Sequence, residues 1–404
     1  MKNIILLTID TLRKDVLGIY QNKEDLTSFL NSLVDHALIF TRFQSSGPYT
    51  QASFPGILTS SYYLEYGKPK KLSPKRMLIS EVLQKNNITT AAFHSNPYLS
   101  DFFGWNRGWD IFYDSMQDEV SDLIPYVTGD QVNRKVQSWL EQYVQSGNQR
   151  HFFLWTHYMD VHEPYIPKKE YLQAVDPSIS ISEQEMFDLF KNTLLKRDIT
   201  DAKKVNLLRN LYRAGVRETD EYVKELFKIL KENNILENSI IIITTDHGDE
   251  FAEHQGLSHD GKFYAELIDS PCLIIDFDRK KKEICQKLVS NIDISPTILH
   301  LFNLSPEDKF EGQSLLPVDQ YQEKGAFGEA IGKKGNHEKP TDLPVYYYRK
   351  DNMKIIYFQD GERWEIYDLE KDPEEKSNII DSHPRADELK EKLLPRINRW
   401  ENRQ

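Results

Sequence analysis

The run Ile4-Ile5-Leu6-Leu7-Thr8-Ile9-Asp10 decides the fold of this chain, because it is almost entirely apolar until it ends on an acid. Such a run is typical of a strand that a sheet buries on both faces. Three later runs have the same character: Thr89–His94, 152–157 and 239–245. Amphipathic helical stretches separate them, for example 26–36 and 205–232. This alternation predicts an α/β fold in which helices flank a mostly parallel sheet.

The C-terminal part of the chain has a different pattern, which begins at about Pro344. We predict the following elements there: short strands over 345–349, 353–358 and 364–367, a turn at Asp360-Gly361, and a final helix over 385–402. We therefore expect a main domain over residues 1–335. A small α+β subdomain, an antiparallel sheet with a helix, is expected to pack on it over residues 336–404. The stretch 332–339, rich in lysine and glycine, predicts an exposed loop between them.

Composition excludes several classes of partner. The chain has 404 residues and a formal net charge of −12, whereas a general nucleic-acid-binding protein needs a basic face. Its two cysteines, Cys272 and Cys285, are too few for a disulfide framework and favour a reducing compartment. The apolar run after Met1-Lys2-Asn3 is too short for a membrane span or a signal peptide. We expect a cytoplasmic protein with no nucleic-acid or membrane partner; the sequence leaves the oligomeric state open.

Polar residues follow the predicted strands, at the sheet edge where α/β proteins bind their ligands. Three of the four strands end at candidate ligands or contacts: Asp10, His157 with Asp160 and His162 just beyond, and Asp246-His247. An acid at the end of a buried strand must be paired, hydrogen-bonded or bound to metal. For Asp10 the alternative is a helix cap shared with Thr11. Asp246-His247 suits a divalent metal, and its alternative is an acid-rich helix start.

The segment Ser45-Ser46-Gly47-Pro48-Tyr49-Thr50-Gln51-Ala52-Ser53-Phe54 delivers a hydroxyl to a predicted helix start. Backbone amides at a helix start can hold an anion. Thr50 is therefore our candidate nucleophile. Ser53 is the competing candidate, and its other role is to cap the helix.

These residues resemble the motifs of the sulfatase family, within the alkaline phosphatase superfamily. Thr50 stands where sulfatases have a Cys or Ser that becomes formylglycine, which a threonine cannot become. The sulfatase pattern Cys/Ser-x-Pro-Ser-Arg maps onto residues 50–54, with Ala52 and Phe54 in place of proline and arginine. Similar segments continue along nearly the whole chain: Tyr212-x-Ala214-x-Val216-x-x-x-Asp220, Asp293-Ile294-Ser295-Pro296-Thr297, Gly312-Gln313-Ser314-Leu315 and Tyr367-Asp368-Leu369-x-x-Asp372-Pro373. The resemblance implies an alkaline-phosphatase-like sheet and a hydrolase of sulfate- or phosphate-type esters.

The resemblance also implies a divalent metal cofactor. The implied ligands are Asp10, Thr50, Asp246 and His247. Asp10-Thr11 stands where many sulfatases have two acids, so one carboxylate ligand is missing and Mn²⁺, Zn²⁺, Mg²⁺ and Ca²⁺ all stay open. We expect one ion and no formylglycine; a second ion on Asp160, His162 and His259 is the alternative.

Histidines supply the other expected roles. His162 resembles the sulfatase histidine that meets the leaving-group oxygen, which implies a general acid. The loop 253–262 carries two histidines and a lysine where the family has a substrate-binding residue. We expect His259 to take that role, with Lys262 as its competitor. His157 is either a substrate-binding residue or a buried structural histidine.

The chemistry of threonine favours one substrate class. A threonine sulfate ester cannot collapse to an aldehyde and must be attacked by water, whereas phosphothreonine intermediates are usual in the superfamily. We therefore expect hydrolysis of a small anionic ester, a phosphomonoester, phosphodiester or phosphonate, through Thr50. One alternative is a sulfate ester hydrolase with unmodified Thr50. Another is a non-catalytic protein that binds an anion or a partner.

Overall fold

The computed structural model describes residues 1–20, 22–67, 71–147, 150–332 and 343–402. The strands in these ranges are β1 (Asn3–Ile9), β2 (Ala37–Gln44), β3 (Thr89–His94), β4 (Ile111–Tyr113), β5 (Phe152–Tyr158), β6 (Ser239–Thr244), β7 (Glu250–Phe251), β8 (Leu257–Ser258), β9 (Asp269–Asp276), β10 (Glu283–Ser290), β11 (Ala326–Ile331), β12 (Pro344–Lys350), β13 (Met353–Phe358) and β14 (Arg363–Asp368). The α-helices are α1 (Ser28–Ser32), α2 (Thr50–Thr59), α3 (Ile79–Lys85), α4 (Gly129–Gln145), α5 (Lys169–Val175), α6 (Glu183–Leu189), α7 (Ala202–Glu232), α8 (Ala265–Ile268), α9 (Ile294–Leu301) and α10 (Ala386–Glu401).

Eight strands form the main sheet, in the order β10-β2-β9-β6-β1-β5-β3-β4. Among them only β9 runs antiparallel to its neighbours. The prediction of a mostly parallel sheet is confirmed, and the four predicted strands are β1, β3, β5 and β6. In β1, Ile4 and Leu6 pack into the core on one face, and Ile5 and Leu7 into the core on the other. Burial on both faces explains why this strand is apolar throughout.

Helices cover both faces of the main sheet. Helices α4 and α7 pack on one face, and α2, α3 and α9 on the other. The predicted helix over 26–36 is shorter in the structure, as α1 followed by a 3-10 turn. Asp220 accepts hydrogen bonds from the amides of Phe29 and Leu30, at 2.7 and 3.0 Å, so a contact with α7 fixes where α1 starts. No helix in the described ranges is long and apolar enough to cross a membrane.

Four antiparallel strands form the second sheet, in the order β11-β12-β13-β14. Helix α10 shares a hydrophobic core with it, through Leu389, Leu393, Ile397 and Trp400. The predicted small antiparallel sheet with its helix is confirmed. Its first strand, β11, precedes residue 335, so this sheet takes one strand from the part of the chain that we had assigned to the main domain. The residue 335 boundary and most of the predicted loop 332–339 lie outside the described residues.

The second sheet is bonded directly to the segment that leads into α2. The Tyr347 hydroxyl donates to the carbonyl of Ser45 at 2.8 Å. The amide of Glu329 donates to the carbonyl of Ser46 at 3.0 Å. The C-terminal sheet therefore holds the entry to α2 in place.

Replacement of Phe54 by alanine should destabilise the fold. Phe54 has no exposed surface and packs against Trp105 and Trp155, with ring centroids 6.1 and 5.6 Å away. Since Phe54→Ala leaves a cavity, we expect the free energy of unfolding in urea to fall by about 3–5 kcal/mol. Phe102→Ala is the control, because Phe102 is 64% exposed, and it should change that energy by less than about 0.5 kcal/mol. Equal effects of the two substitutions would contradict the assignment of Phe54 to the core.

Candidate active site

Four adjacent parallel strands of the main sheet, β6, β1, β5 and β3, end at the same edge. Residues at or just beyond these ends therefore lie side by side. They are Asp246, Asp10, His157 and Asn96, and all four are buried. The structure thus brings together three residues predicted from the sequence and one that was not predicted.

Asp10, Asp246 and His247 form a cluster with no exposed surface. Nε2 of His247 lies 3.5 Å from Asp10 Oδ1 and 3.4 Å from Asp246 Oδ2. Those two carboxylate oxygens have no hydrogen-bond partner within the described residues. Burying unpaired carboxylate oxygens is costly, so this arrangement calls for a positive charge between them. Two carboxylate oxygens and an imidazole nitrogen are a donor set that suits a divalent cation.

Nδ1 of His247 fixes the tautomer of the ring. It lies 2.9 Å from the carbonyl oxygen of Gly248, which can only accept a hydrogen bond. Nδ1 therefore carries a proton, so the nitrogen that faces the cluster and can bind a metal ion is Nε2. Burial, and then the Asp10 carboxylate, raise the pKa of Asp246. Burial opposes ionisation of Asp10 too, but the hydrogen bond to His157 and the nearby histidines outweigh it and lower the pKa of Asp10.

Helix α2 begins at Thr50 and places its hydroxyl beside this cluster. Thr50 Oγ1 lies 3.5 Å from Asp10 Oδ2 and 3.5 Å from His247 Nε2. The residue is 4% exposed, and it also lines the cavity described below. The hydroxyl thus connects the buried cluster with accessible space. The N-terminus of α2 adds its backbone amides and the positive end of the helix dipole at the same point.

Ser53 lies within the first turn of α2 and is engaged in packing. Its buried hydroxyl donates to the carbonyl of Asp246 at 2.7 Å, and it lies 2.9 Å from both Ser45 Oγ and Asn291 Nδ2. This network fixes α2 against the strand end that carries Asp246. The loop before α2 is equally tight, because a Cβ on Gly47 would lie 2.3 Å from the helix backbone. A residue larger than glycine would therefore displace α2 and Thr50 with it.

Asn96 belongs to the site although the sequence reasoning missed it. Its Nδ2 donates to Asp10 Oδ2 at 2.7 Å and to Thr50 Oγ1 at 3.3 Å. The side chain therefore sets the distance between the acid and the hydroxyl. Its position just after the predicted strand Thr89–His94 was the available signal, because that end of the strand points to the same sheet edge.

His157 lies beside Asp10 and contacts its carboxylate. Its Nε2 lies 3.3 Å from Asp10 Oδ2, and its Nδ1 lies 2.8 Å from the hydroxyl of Thr8. The ring of Phe54 packs edge-on against it, with centroids 5.1 Å apart. His157 has no exposed surface and does not line the cavity, so its placement fits the buried structural histidine rather than the substrate-binding residue.

A cavity of about 710 Å³ opens next to Thr50. Its described lining residues include four tyrosines, Tyr49, Tyr63, Tyr98 and Tyr126. Of the predicted site residues, Thr50, His162 and His259 line it. The structure therefore brings together the predicted nucleophile and the two predicted cavity histidines in one space.

His259 is held in a charged hydrogen bond. Its Nδ1 lies 2.8 Å from Asp249 Oδ1, and the other oxygen of Asp249 accepts from the hydroxyl of Tyr165 at 2.5 Å. Burial lowers the pKa of His259, but the carboxylates of Glu163 and Asp249 outweigh it and raise the pKa to about 10. The ring is thus cationic at neutral pH, which suits contact with an anion. Asp249 and Tyr165 are further site residues that the sequence reasoning did not assign.

His162 carries a proton into the same cavity. Its Nδ1 lies 2.6 Å from the carbonyl oxygen of Glu163, so Nδ1 is a donor. Burial lowers the pKa of His162, but the charges of Glu163 and Asp10 raise it above its ordinary value overall. In the protonated ring Nε2 carries a second proton. Since Nδ1 donates its proton to the carbonyl of Glu163, the Nε2 proton is the one that the ring can transfer.

Two residues predicted near the site have other partners. Nζ of Lys262 donates to Glu250 Oε2 at 2.9 Å and to the carbonyl of His254 at 3.2 Å, and the residue does not line the cavity. Asp160, offered as a ligand of a second ion, accepts from the amide of Gly129 at 2.8 Å, at the start of α4. It is not part of any described cluster of metal-ligating groups. Both side chains bind nearby protein groups instead of facing the cavity.

The chain is similar to known proteins over most of its length. The family model described as Sulfatase matches residues 2–304, and one described as N-sulphoglucosamine sulphohydrolase, C-terminal, matches residues 254–403. The chain is 27% identical to arylsulfatase K of Gallus gallus over 203 residues, 48% of this chain and 38% of that protein. It is 30% identical to N-acetylglucosamine-6-O-sulfatase of Bacteroides thetaiotaomicron over 187 residues, 45% of this chain and 33% of that protein. These matches span a third to two fifths of the relatives' length.

Solved structures share the whole fold. The phosphonate monoester hydrolase of Agrobacterium radiobacter superposes with a TM-score of 0.78 at 17% identity, covering 98% of this chain and 95% of the other. A protein solved in complex with its substrate D-glucosamine-2-N,6-O-disulfate superposes with a TM-score of 0.81 at 18% identity, covering 99% and 98%. Because the Sulfatase model spans most of the chain and the fold agrees, this protein belongs to the sulfatase family of the alkaline phosphatase superfamily.

Proposed function

We propose that this protein is a metal-dependent hydrolase that uses unmodified Thr50 as its nucleophile. Its favoured substrates are phosphomonoesters, phosphodiesters or phosphonates. One observation carries the proposal: the Thr50 hydroxyl lies 3.5 Å from both Asp10 and His247, at a helix N-terminus that lines the cavity. Membership of the sulfatase family supports the hydrolase class.

Asp10, Asp246 and His247 would hold one divalent ion, with the Thr50 hydroxyl as a fourth ligand. The unpaired carboxylate oxygens and His247 Nε2, which faces them, support this fit. When bound, the ion would supply positive charge that favours the alkoxide form of a hydroxyl and offsets the charge of the ester. The mixed oxygen and nitrogen donor set is compatible with Mn²⁺, Zn²⁺, Mg²⁺ and Ca²⁺.

In the proposed reaction, Thr50 Oγ1 loses its proton to solvent and attacks phosphorus. The bond from Oγ1 to phosphorus forms while the bond to the leaving alcohol breaks. The His162 Nε2 proton passes to the alcohol oxygen, and the neutral ring then takes a proton from an attacking water. The water oxygen bonds to phosphorus while the bond from phosphorus to Oγ1 breaks, and Oγ1 regains a proton from solvent. His259, held cationic by Asp249, binds a nonbridging oxygen, and the amides at the start of α2 stabilise the developing charge.

The nature of the nucleophile favours phosphate over sulfate. A formylglycine hydrate releases sulfate by collapsing to its aldehyde, and a threonine ester has no such route. Water must therefore attack the threonine ester in a second displacement, a route that is usual for phosphothreonine intermediates. The phosphonate monoester hydrolase among the structural neighbours has the same fold, which is consistent with a phosphorus substrate.

A sulfate ester hydrolase with unmodified Thr50 is the second candidate. The names of the curated relatives favour it, since arylsulfatase K and N-acetylglucosamine-6-O-sulfatase are both sulfatases. One structural neighbour is also bound to a small sulfated sugar. Both candidate functions act on a small anionic ester. They differ in the atom that is attacked, which is phosphorus in the first and sulfur in the second.

Thr50→Ala should abolish turnover. We expect kcat/KM to fall by about 10³-fold or more, because no other group takes the place of the nucleophile, whereas Thr50→Ser should retain activity. The measurement is hydrolysis of matched aryl phosphates, phosphodiesters and sulfates with each of the four metals. Mass spectrometry of the wild-type peptide should show unmodified Thr50, and a quenched reaction should show a phosphate adduct on it.

Ser53→Ala is the control for that experiment, because the Ser53 hydroxyl supports α2 without lining the cavity. It should still form the adduct on Thr50. Hydrolysis retained in Thr50→Ala would contradict the nucleophile assignment. Turnover of sulfates alone would favour the second candidate. No turnover of any ester by the wild type would favour a non-catalytic anion-binding protein.

His162→Gln should slow the hydrolysis of esters by an amount that depends on the leaving group. If His162 donates a proton to the departing alcohol, we expect a loss of about 10²–10⁴-fold for alkyl esters and a much smaller loss for 4-nitrophenyl esters. The measurement is a series of esters with alcohols of rising pKa, compared between wild type and variant. An equal loss across the series would instead assign a binding or structural role to His162.

Metal binding should depend on the buried acids. Mn²⁺ at about 100 times its Kd should stabilise the wild type by about 2.7 kcal/mol, seen as a rise in Tm. Asp246→Asn should lose most of this rise, because a neutral amide replaces a charged ligand. Asp160→Asn is the control: Asp160 is a half-buried acid that accepts a hydrogen bond from Gly129, and its variant should keep the rise. Loss of the rise in Asp160→Asn alone would place the ion elsewhere.

A further inference from the structure

One cationic side chain in the cavity is not used by the proposed reaction. Arg197 follows the π-helical turn Phe190–Leu194 and lines the cavity together with Leu194 and Leu195. Among the described lining residues it is the only lysine or arginine. It makes no hydrogen bond or ion pair with Asp10 or Thr50, so it belongs to a part of the cavity outside the reacting cluster.

Arg197 is positioned by a buried acid. Its Nη1 donates to Asp260 Oδ2 at 2.5 Å, and the side chains are only 19% and 4% exposed. The second oxygen, Asp260 Oδ1, has no hydrogen-bond partner in the described chain. No other hydrogen bond from the guanidinium reaches a described residue. Its remaining N–H groups are therefore available to a bound molecule, in the planar arrangement that binds carboxylate, phosphate or sulfate with two parallel bonds.

The backbone at Arg197 is in an unusual conformation. Its φ of 52° lies in the left-handed region, which residues other than glycine seldom adopt. The turn is held by the amide of Arg197, which donates to the carbonyl of Leu194 at 2.9 Å. Such conformations persist where the surroundings impose them, and they are frequent at ligand sites. Here the conformation directs a long cationic side chain to Asp260 and the cavity.

The rest of the lining suits a ring rather than a flexible chain. Tyr49, Tyr63, Tyr98 and Tyr126 offer flat apolar faces with polar tips. Leu195 adds an apolar side chain that is 59% exposed at the cavity. A ring-shaped alcohol can pack on such faces while a charged substituent reaches Arg197.

We propose that Arg197 binds a second anionic group on the alcohol half of the substrate. The substrate class is then an ester of a ring-shaped alcohol that also carries a carboxylate, phosphate or sulfate. This proposal rests on the proposed function for the reacting ester. The anion-binding role that the sequence favoured for the loop 253–262 stays with His259 at the reacting ester, whereas Lys262 bonds to Glu250 and Arg197 serves a second anion.

The test uses pairs of esters that differ only in charge: 3- and 4-carboxyphenyl phosphate against the corresponding carbamoylphenyl phosphates, and the same pairs as sulfates. We expect the wild type to prefer a carboxylate ester by about tenfold or more in kcat/KM, as a charge-assisted pair of hydrogen bonds would give. In Arg197→Met this ratio should fall to about one, and Arg197→Lys should keep part of it. The ratio cancels any loss that affects both esters equally.

Three results would overturn the proposal. In the first, the wild type shows no preference for either carboxylate isomer. In the second, Arg197→Met lowers kcat/KM for the charged and the neutral ester equally, which assigns the Arg197–Asp260 pair to packing alone. In the third, the ratio survives in Arg197→Met and collapses in Lys262→Met, which places the anion site at Lys262.

A binding measurement separates this proposal from the proposed function. Titration calorimetry with the Thr50→Ala protein gives Kd for the same ester pairs without hydrolysis. If no ester is turned over by the wild type but the carboxylate preference appears in Kd and vanishes in the Thr50→Ala, Arg197→Met double variant, the hydrolase proposal fails and the Arg197 proposal stands. If esters are turned over but Kd shows no carboxylate preference, the hydrolase proposal stands and the Arg197 proposal fails.

Discussion

The structure depends on two carboxylates that the central sheet forces together. Asp10 and Asp246 follow the adjacent parallel strands β1 and β6, so their side chains meet wherever these strands pair. Asn96 and His157 satisfy one oxygen of Asp10, and the remaining oxygens, Asp10 Oδ1 and Asp246 Oδ2, face His247. Burial of like charges costs stability unless a cation or a proton compensates it. The surroundings of these acids are therefore best understood as a binding site.

The position of Thr50 relative to these acids is set by elements far away in the chain. The second sheet bonds to the loop before α2 through Tyr347 and Glu329. Asn291, which precedes α9, bonds to Ser53 within α2. Thr50 is thus clamped from both sides, by the C-terminal sheet and by the main domain. The C-terminal sheet thus helps to build the site, although none of the hydroxyls or acids in its described strands lies in the buried cluster.

The sequence was sufficient to predict those features that depend on local pattern and on strand direction. Apolar runs identify β1, β3, β5 and β6, and the rule for parallel strand ends then brings Asp10 and Asp246-His247 together. It could not predict which side chains turn toward the cavity. Lys262 pairs with Glu250, and Asp160 caps α4, because their nearest partners are set by tertiary packing. Asn96 was not predicted as a site residue, although it follows a predicted strand, because its side chain is neither charged nor nucleophilic. The strand β11, which pairs with β12, was missed because Gly328 and Glu329 interrupt the apolar pattern of 326–331.

The residue at position 54 links the core to the charge balance of the site. In the sulfatase pattern an arginine stands there, and Phe54 in this chain packs against Trp105, Trp155 and the edge of His157 instead. Phe54 therefore brings no cation to this position and makes apolar contacts instead, one of them with His157, which lies beside Asp10. In a chain of net charge −12, positive charge for an anionic ester must then come from other sources. The N-terminus of α2, the cationic ring of His259 and the guanidinium of Arg197 are three such sources, and His162 in its protonated form is a fourth. Under the proposal for Arg197, one part of this charge meets the reacting ester and another meets the alcohol half, so an ester whose alcohol carries a second anionic group uses this cavity better than a compact monoanion does.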